Sequence, residues 1–212
     1  MKIVILGPPV SGTSTFSSIL SSKFNLLHIS PGNIFQENII KKTPLGIKAK
    51  KFYDKGLLVP DDITIDLIIS RLKETDCEKG FVLEGFPRSI KQAEALDEFT
   101  KIDFFIYVNI PEWLAVKRIT SRRVCKNCKR VYSLINVKPK IEGICDVCGG
   151  ELIQRADDNP ESIKKRFREF EEKTKPVLEH YKNKGMFNSI LCDKMKSVPE
   201  ENIEKILKII RG

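Results

Sequence analysis

Near the start of the chain, Ile3-Val4-Ile5-Leu6 is continuously apolar and Gly7-Pro8-Pro9 stops it. A short unbroken run of this kind predicts a strand buried on both faces. A helix is expected over about 13–24 and a second short strand over 26–29, with Ser30-Pro31-Gly32 as a turn before the next helix. Asp61 and Asp62 supply N-terminal caps and negative charge for a helix running to about Leu72. Residues 81–84 read as a strand ended by Gly85, and 103–110 as the clearest strand in the chain. Pro111 opens a helix to about Arg123, a favoured position for proline. A long charged helix follows Pro160 to about Lys184, its charged run forming a solvated face. A strand over 187–191 and a helix from Pro199 complete the series. Such alternation predicts an α/β fold, a parallel sheet covered by helices on both faces. The rhythm breaks only between Val124 and Asp158, a stretch with four cysteines and little helical period.

Composition narrows the class without naming a function. The chain has 212 residues, of which 41% are hydrophobic, enough for a real core in one or two domains. These values exclude disordered, collagen-like and disulfide-miniprotein classes. No apolar run approaches the roughly 20 residues a bilayer span needs. The apolar stretch at the N-terminus is too short for a signal peptide. A soluble cytoplasmic protein is therefore expected. In that compartment six cysteines point to metal or chemistry before disulfides. The formal charge of +9 invites a polyanion, but its sign does not separate nucleic acid from nucleotides.

A strand, a glycine-framed turn and a helix together make a phosphate cradle, because loop N–H groups and the helix N-terminus attract an anion. The pattern sought is G-x-x-x-x-G-K-[ST]. This chain reads Gly7-Pro8-Pro9-Val10-Ser11-Gly12-Thr13-Ser14-Thr15. The glycines have the right spacing, and Thr13 stands where the lysine belongs. On its own the loop is equally compatible with an ordinary strand-to-helix turn. Further segments follow in order: Ile29-Ser30-Pro31-Gly32-Asn33, Gly56-Leu57-Leu58-Val59-Pro60-Asp61, and Glu84-Gly85-Phe86-Pro87-Arg88-Ser89 with Gln92. Ser121-Arg122-Arg123-Val124 and Gln154-Arg155-Ala156-Asp157-Asp158 come later. Together these motifs, spread over essentially the whole chain, resemble those of the adenylate kinases.

The resemblance implies a P-loop kinase fold with an inserted AMP-binding helical segment and a small zinc-ribbon-like LID. Its parts would be CORE over 1–29, 60–121 and 159–212, the AMP segment over 30–59, and the LID over 122–158. ATP and AMP would react to give two ADP, with Mg²⁺ accompanying ATP and catalysis resting on positioning and charge neutralisation. By the same resemblance, Val10, Ser11, Gly12, Thr13, Ser14 and Thr15 would face ATP phosphates, and Val131 and Tyr132 the ATP adenine. The AMP site would comprise Pro31, Gln36, Leu57, Leu58, Val59, Gly85, Phe86 and Pro87, with Arg88 on the phosphate and Gln92 reading the base. Arg118, Arg122, Arg155 and Arg166 would close over the transferring phosphoryl group, Arg155 and Arg166 also reaching AMP. Asp157 and Asp158 match an acidic pair at the LID hinge. The family is usually monomeric, without membrane or nucleic-acid partners.

The departures from the family fall on phosphate and Mg²⁺ contacts. Thr13 replaces the loop lysine, Val10 and Ser14 replace glycines, and Gln36 replaces an arginine on the AMP phosphate. Pro31 stands for threonine, Asn33 for aspartate, and Glu84 for the aspartate of D-G-F-P-R. Threonine cannot place a cation between β- and γ-phosphates. Losing one charge-assisted donor in a water-excluded site costs roughly 10²–10³ in rate, so slow turnover is expected.

Cys125-x₂-Cys128, a 16-residue spacer and Cys145-x₂-Cys148 match a four-thiolate Zn²⁺ site. Four sulfurs leave no open coordination position, so the metal would be structural. Some long-LID adenylate kinases carry such a site. Cys77, Cys192, His28, His180 and Trp113 have no partner motif and read as packing or incidental residues. Three alternatives stay open: a kinase for another nucleoside monophosphate, a nucleotide-binding protein of the same fold without turnover, and a zinc-ribbon nucleic-acid binder.

Overall fold

The computed structural model describes residues 1–53, 59–155, 158–194 and 199–211. Strands are β1 (Lys2–Leu6), β2 (Leu27–Ile29), β3 (Phe81–Glu84), β4 (Phe104–Asn109), β5 (Arg122–Cys125), β6 (Val131–Ser133), β7 (Leu152–Ile153) and β8 (Phe187–Leu191). Helices are α1 (Thr13–Phe24), α2 (Pro31–Ile40), α3 (Pro44–Tyr53), α4 (Asp61–Leu72), α5 (Ile90–Phe99), α6 (Glu112–Ser121), α7 (Pro160–Glu169), α8 (Lys175–Asn183) and α9 (Pro199–Arg211). Among the described residues no helix is long and apolar enough to cross a membrane.

The described residues divide into two compact units. The first comprises 1–6, 13–107 and 172–189, and it carries a sheet of order β2-β3-β1-β4-β8. β1 pairs in parallel with both β3 and β4, and β3 with β2. Ile3, Val4 and Ile5 of β1, Val82 and Leu83 of β3, and Phe105 and Ile106 of β4 have no solvent exposure. Helices cover both faces of this sheet, which is why its strands are continuously apolar rather than alternating. Each such side chain contributes about 1.5–3 kcal/mol when fully buried.

The second unit comprises 7–12, 108–171 and 190–212. Ile110 ahead of α6, and Leu114, Ala115 and Ile119 along it, pack on Ile163 and Phe167 of α7, with the Val10 side chain against them. The stretch expected to be irregular contains a small antiparallel sheet, order β6-β5-β7, around a core of Cys125, Tyr132, Cys145 and Leu152.

Four boundaries differ from the sequence expectation, each for a local reason. Pro111 is the N-cap of α6 and not its first residue, and that helix ends at Ser121 because Arg122 and Arg123 enter β5. Ser30 caps α2 instead of forming a turn, its hydroxyl facing the Asn33 N–H, and Pro31 occupies the first helical turn. Pro60, not an aspartate, is the N-cap of α4, so Asp61 and Asp62 lie in its first turn. The expected long helix over 160–184 is interrupted by a π-helical turn, Phe170–Thr174. Pro176 follows at once in α8. Proline has no N–H to donate and clashes with the carbonyl four residues back, and widening the preceding turn accommodates both.

In the first unit, Asp97 of α5 ties down α8. Its carboxylate meets His180 Nε2 at 2.7 Å, accepts from the Tyr181 hydroxyl at 3.2 Å, and pairs with Lys184. Tyr181 is fully buried and stacks on Phe105 with ring centroids 4.2 Å apart. Burial, reinforced by the Asp97 charge, pushes its hydroxyl well above the ordinary range. Asp97→Ala leaves that hydroxyl without its acceptor, at a cost of about 1–3 kcal/mol. Calorimetry is expected to show the melting midpoint lowered by about 2–10 °C.

Candidate active site

The loop after β1 is shaped by contacts that a larger residue would prevent. A Cβ on Gly7 would lie 2.5 Å from Ser11 Oγ and 2.6 Å from the Val108 carbonyl oxygen. Val10 adopts φ 58°, a left-handed conformation that a β-branched residue holds only under constraint. Packing of its side chain on the α6–α7 core supplies that constraint. Arg118 of α6 adds a second: its Nη1 donates to the carbonyls of Val10 (3.4 Å) and Ser11 (3.3 Å). Burial lowers the Arg118 pKa, and the Cys192 thiol group nearby opposes that shift. Ser11 is 1% exposed, and its hydroxyl has no hydrogen-bond partner among the described residues. An orphaned buried hydroxyl of this kind is what a phosphate oxygen would satisfy. Ser14 and Thr15 are exposed in the first turn of α1.

Thr13 opens α1, and its hydroxyl donates to Glu84 Oε1 at 3.2 Å. The other oxygen of Glu84 meets His28 Nε2 at 2.8 Å. One carboxylate at the end of β3 therefore joins the start of α1 to β2. A lysine at this position would extend a cation beyond the helix terminus. Threonine instead uses its short side chain on a neighbouring acid.

After β3, the Arg88 side chain donates from Nε to the Gly85 carbonyl at 2.8 Å, and the Arg88 backbone N–H to Gln92 Oε1 at 2.7 Å. Gln92 is buried, and its Nε2 donates to Asp61 Oδ1 at 2.6 Å. Ser89 caps α5 through the Gln92 N–H and donates its own proton to Asp61 Oδ2 at 2.6 Å. Both ends of the Gln92 amide are thus engaged within the protein. Phe86 and Pro87 are buried, Pro31 is half-buried and Gln36 is exposed on α2. Val59 accepts from the Thr64 hydroxyl through its carbonyl. Leu57, Leu58 and Asp157 lie outside the described residues.

In the second unit, Arg122 opens β5 and forms a two-pronged pair with Asp158, its Nε at 2.9 Å from Oδ2 and its Nη2 on Oδ1. The Asp158 side chain is fully buried. Arg155 is exposed beside it and Arg166 is half-buried on α7.

Cys125, Cys128, Cys145 and Cys148 converge, all four sulfurs within 4.8 Å of one another. Cys125 Sγ lies 3.4 Å from Cys148 Sγ, and Cys128 Sγ 3.6 Å from Cys145 Sγ. Those separations are too long for disulfides, whose sulfurs sit about 2.0 Å apart. A tetrahedron with metal–sulfur bonds near 2.3 Å has edges of about 3.8 Å, so the cluster is compatible with Zn²⁺. Gly150 makes room for it, because a Cβ there would fall 3.0 Å from Cys125 Sγ and 2.8 Å from Asn127 Nδ2. Val131 is exposed, whereas Tyr132 is 2% exposed with its hydroxyl 3.4 Å from Cys145 Sγ. That contact, partly opposed by burial, brings the Cys145 thiol down to about 6.

The family model described as adenylate kinase matches residues 5–186. The chain belongs to the adenylate kinase family. It is 45% identical to the adenylate kinase of Clostridium tetani (strain Massachusetts / E88), covering 99% of this chain and all of the relative. The Clostridium novyi (strain NT) adenylate kinase is 46% identical over 100% and 99% of the two chains. That of Caldicellulosiruptor saccharolyticus is also 46% identical, over 88% of this chain and 89% of the relative.

Three residues make contacts that their place in the sequence did not predict. His28 holds Glu84 from 56 positions away, Asp61 orients Ser89 and Gln92, and the Tyr132 hydroxyl reaches the cysteine cluster. Asp61 ends one of the quoted motifs, which marks its position but not its contacts. Nothing in the sequence signalled the other two contacts. Asp158→Ala removes the buried partner of Arg122, and losses of this kind cost about 3–5 kcal/mol. Urea denaturation followed by circular dichroism is expected to show a correspondingly lower midpoint.

Proposed function

We propose that the chain catalyses reversible transfer of the γ-phosphoryl group of ATP to AMP, giving two ADP, as a monomer in the cytoplasm. The CORE, AMP-binding and LID divisions follow the family motifs, with the LID over 122–158 and the AMP segment over 30–59. The loop from Val10 to Thr15 receives the ATP phosphates through backbone N–H groups, the Ser11 hydroxyl and the α1 terminus. The exposed Val131 side chain and the backbone of Tyr132, whose ring is buried in the small sheet, flank the ATP adenine. Arg88 meets the AMP phosphate, and Gln92 exchanges its bond to Asp61 for the edge of the base. Pro31, Gln36, Leu57, Leu58, Val59, Gly85, Phe86 and Pro87 complete that pocket. Arg118, Arg122, Arg155 and Arg166 neutralise charge on the transferring group. Glu84, the carboxylate at the family's aspartate position, would hold the Mg²⁺ that accompanies ATP, and that ion would supply charge neutralisation. Zn²⁺ on Cys125, Cys128, Cys145 and Cys148 braces the LID without joining the chemistry. Metal analysis of the purified chain is expected to find about one zinc per molecule.

Turnover is slow in this reading, and one observation carries that conclusion: the Thr13 hydroxyl is bound to Glu84, where the family places a cation for the phosphates. An assay coupled to ADP formation is expected to show the parent about 10²–10³-fold below Thr13→Lys in turnover. Equal turnover in the two proteins would contradict it. The same contact favours a second reading, a nucleotide binder of this fold. Tight binding of a bisubstrate nucleotide mimic with no measurable ADP formation on the same preparation would select that reading.

A further inference from the structure

The four sulfurs of the cysteine cluster differ in their surroundings. Cys125 and Cys145 are buried, while Cys128 and Cys148 are exposed. Tyr132, projecting from β6, fills the core of this small sheet together with Cys125, Cys145 and Leu152. The Tyr132 oxygen has two polar neighbours: it accepts the Asp146 backbone N–H at 2.8 Å, and it lies 3.4 Å from Cys145 Sγ. An amide nitrogen can only donate, so the phenolic proton is left for another acceptor. At 2% exposure it has little access to water, and a buried hydroxyl that fails to donate is costly. The sulfur of Cys145 is the acceptor within reach. The Arg130 guanidinium carbon sits 5.8 Å from the centroid of the Tyr132 ring, and a nearby cation draws charge from the ring and strengthens the phenol as a donor.

We infer that Tyr132 is a positioning residue of the metal centre, donating its hydroxyl proton in a hydrogen bond to the Cys145 thiolate while the Asp146 N–H fixes the phenol oxygen. Four thiolates around a divalent ion carry a net double negative charge. A donor aimed at one buried sulfur withdraws part of that charge where water cannot. Without it, the uncompensated charge on the four sulfurs weakens their hold on the ion. Outer-shell partners of metal ligands commonly change affinity by about 10–100-fold.

The test is Tyr132→Phe in the full chain, which keeps the ring and removes only the hydroxyl. Transfer of zinc to a chromogenic chelator is expected to be about 10-fold faster than in the parent. In the cobalt-substituted protein the sulfur-to-metal charge-transfer band is expected at lower energy, because the sulfur holds its electrons less tightly. A residue that served packing alone would not move that band. Unchanged release and an unchanged band, with parental circular dichroism, would overturn the inference. Should Tyr132→Phe fail to fold, 3-fluorotyrosine at the same position keeps the shape and strengthens the donor. The band is then expected at higher energy, and an unmoved band overturns the inference equally well. Neither readout requires kinase activity, so failure here leaves the catalytic reading intact.

Discussion

Glu84 sits where the demands of fold and chemistry meet. Its carboxylate closes β3, receives the Thr13 hydroxyl from the first turn of α1, and meets His28 from β2. In a parallel sheet the carboxyl ends of adjacent strands converge beside helix N-termini, so an acid there can reach several elements at once. Glutamate is one methylene longer than the family's aspartate, and both of its oxygens have partners. A lysine at position 13 would bring a cation to the phosphates, whereas threonine and glutamate satisfy each other. The consequence is a braced loop end to which position 13 contributes no cation.

Other parts of the phosphate loop are constrained as well. Val10 holds a left-handed conformation where the family has glycine, fixed by its packing on the α6–α7 core and by Arg118 on its carbonyl. Holding such a conformation costs on the order of 1–3 kcal/mol, which neighbouring contacts must offset. A loop kept in shape this way is ordered before a ligand arrives. Preorganisation lowers the entropy cost of binding but does not replace a missing charge.

Much of the fold was legible because burial on both faces leaves a continuous apolar signature. β1, α1, α4, β3 and β8 fall where the pattern puts them. α5 was not anticipated: in Ile90–Phe99 two of the five apolar positions are alanines, and Lys91, Glu94, Asp97 and Glu98 interrupt the rest. The small sheet was also missed, since strands of two to four residues are shorter than any periodicity can register. Cysteine spacing announced the four-sulfur cluster because the two knuckles are local. The Tyr132 hydroxyl could not be foreseen, because its contact with Cys145 depends on the register of β6 against β5. His28 illustrates the general limit, since a histidine has no visible role until folding brings its partner to it.

In the function proposed above, turnover is limited by the chemical step, for want of one cation at the phosphate loop. Quench-flow at saturating magnesium-ATP and AMP measures that directly, by comparing the first turnover with the steady state. The account predicts no burst, the first turnover proceeding at the steady-state rate. A rapid burst of ADP followed by a slower steady phase would place the limit at product release and contradict it.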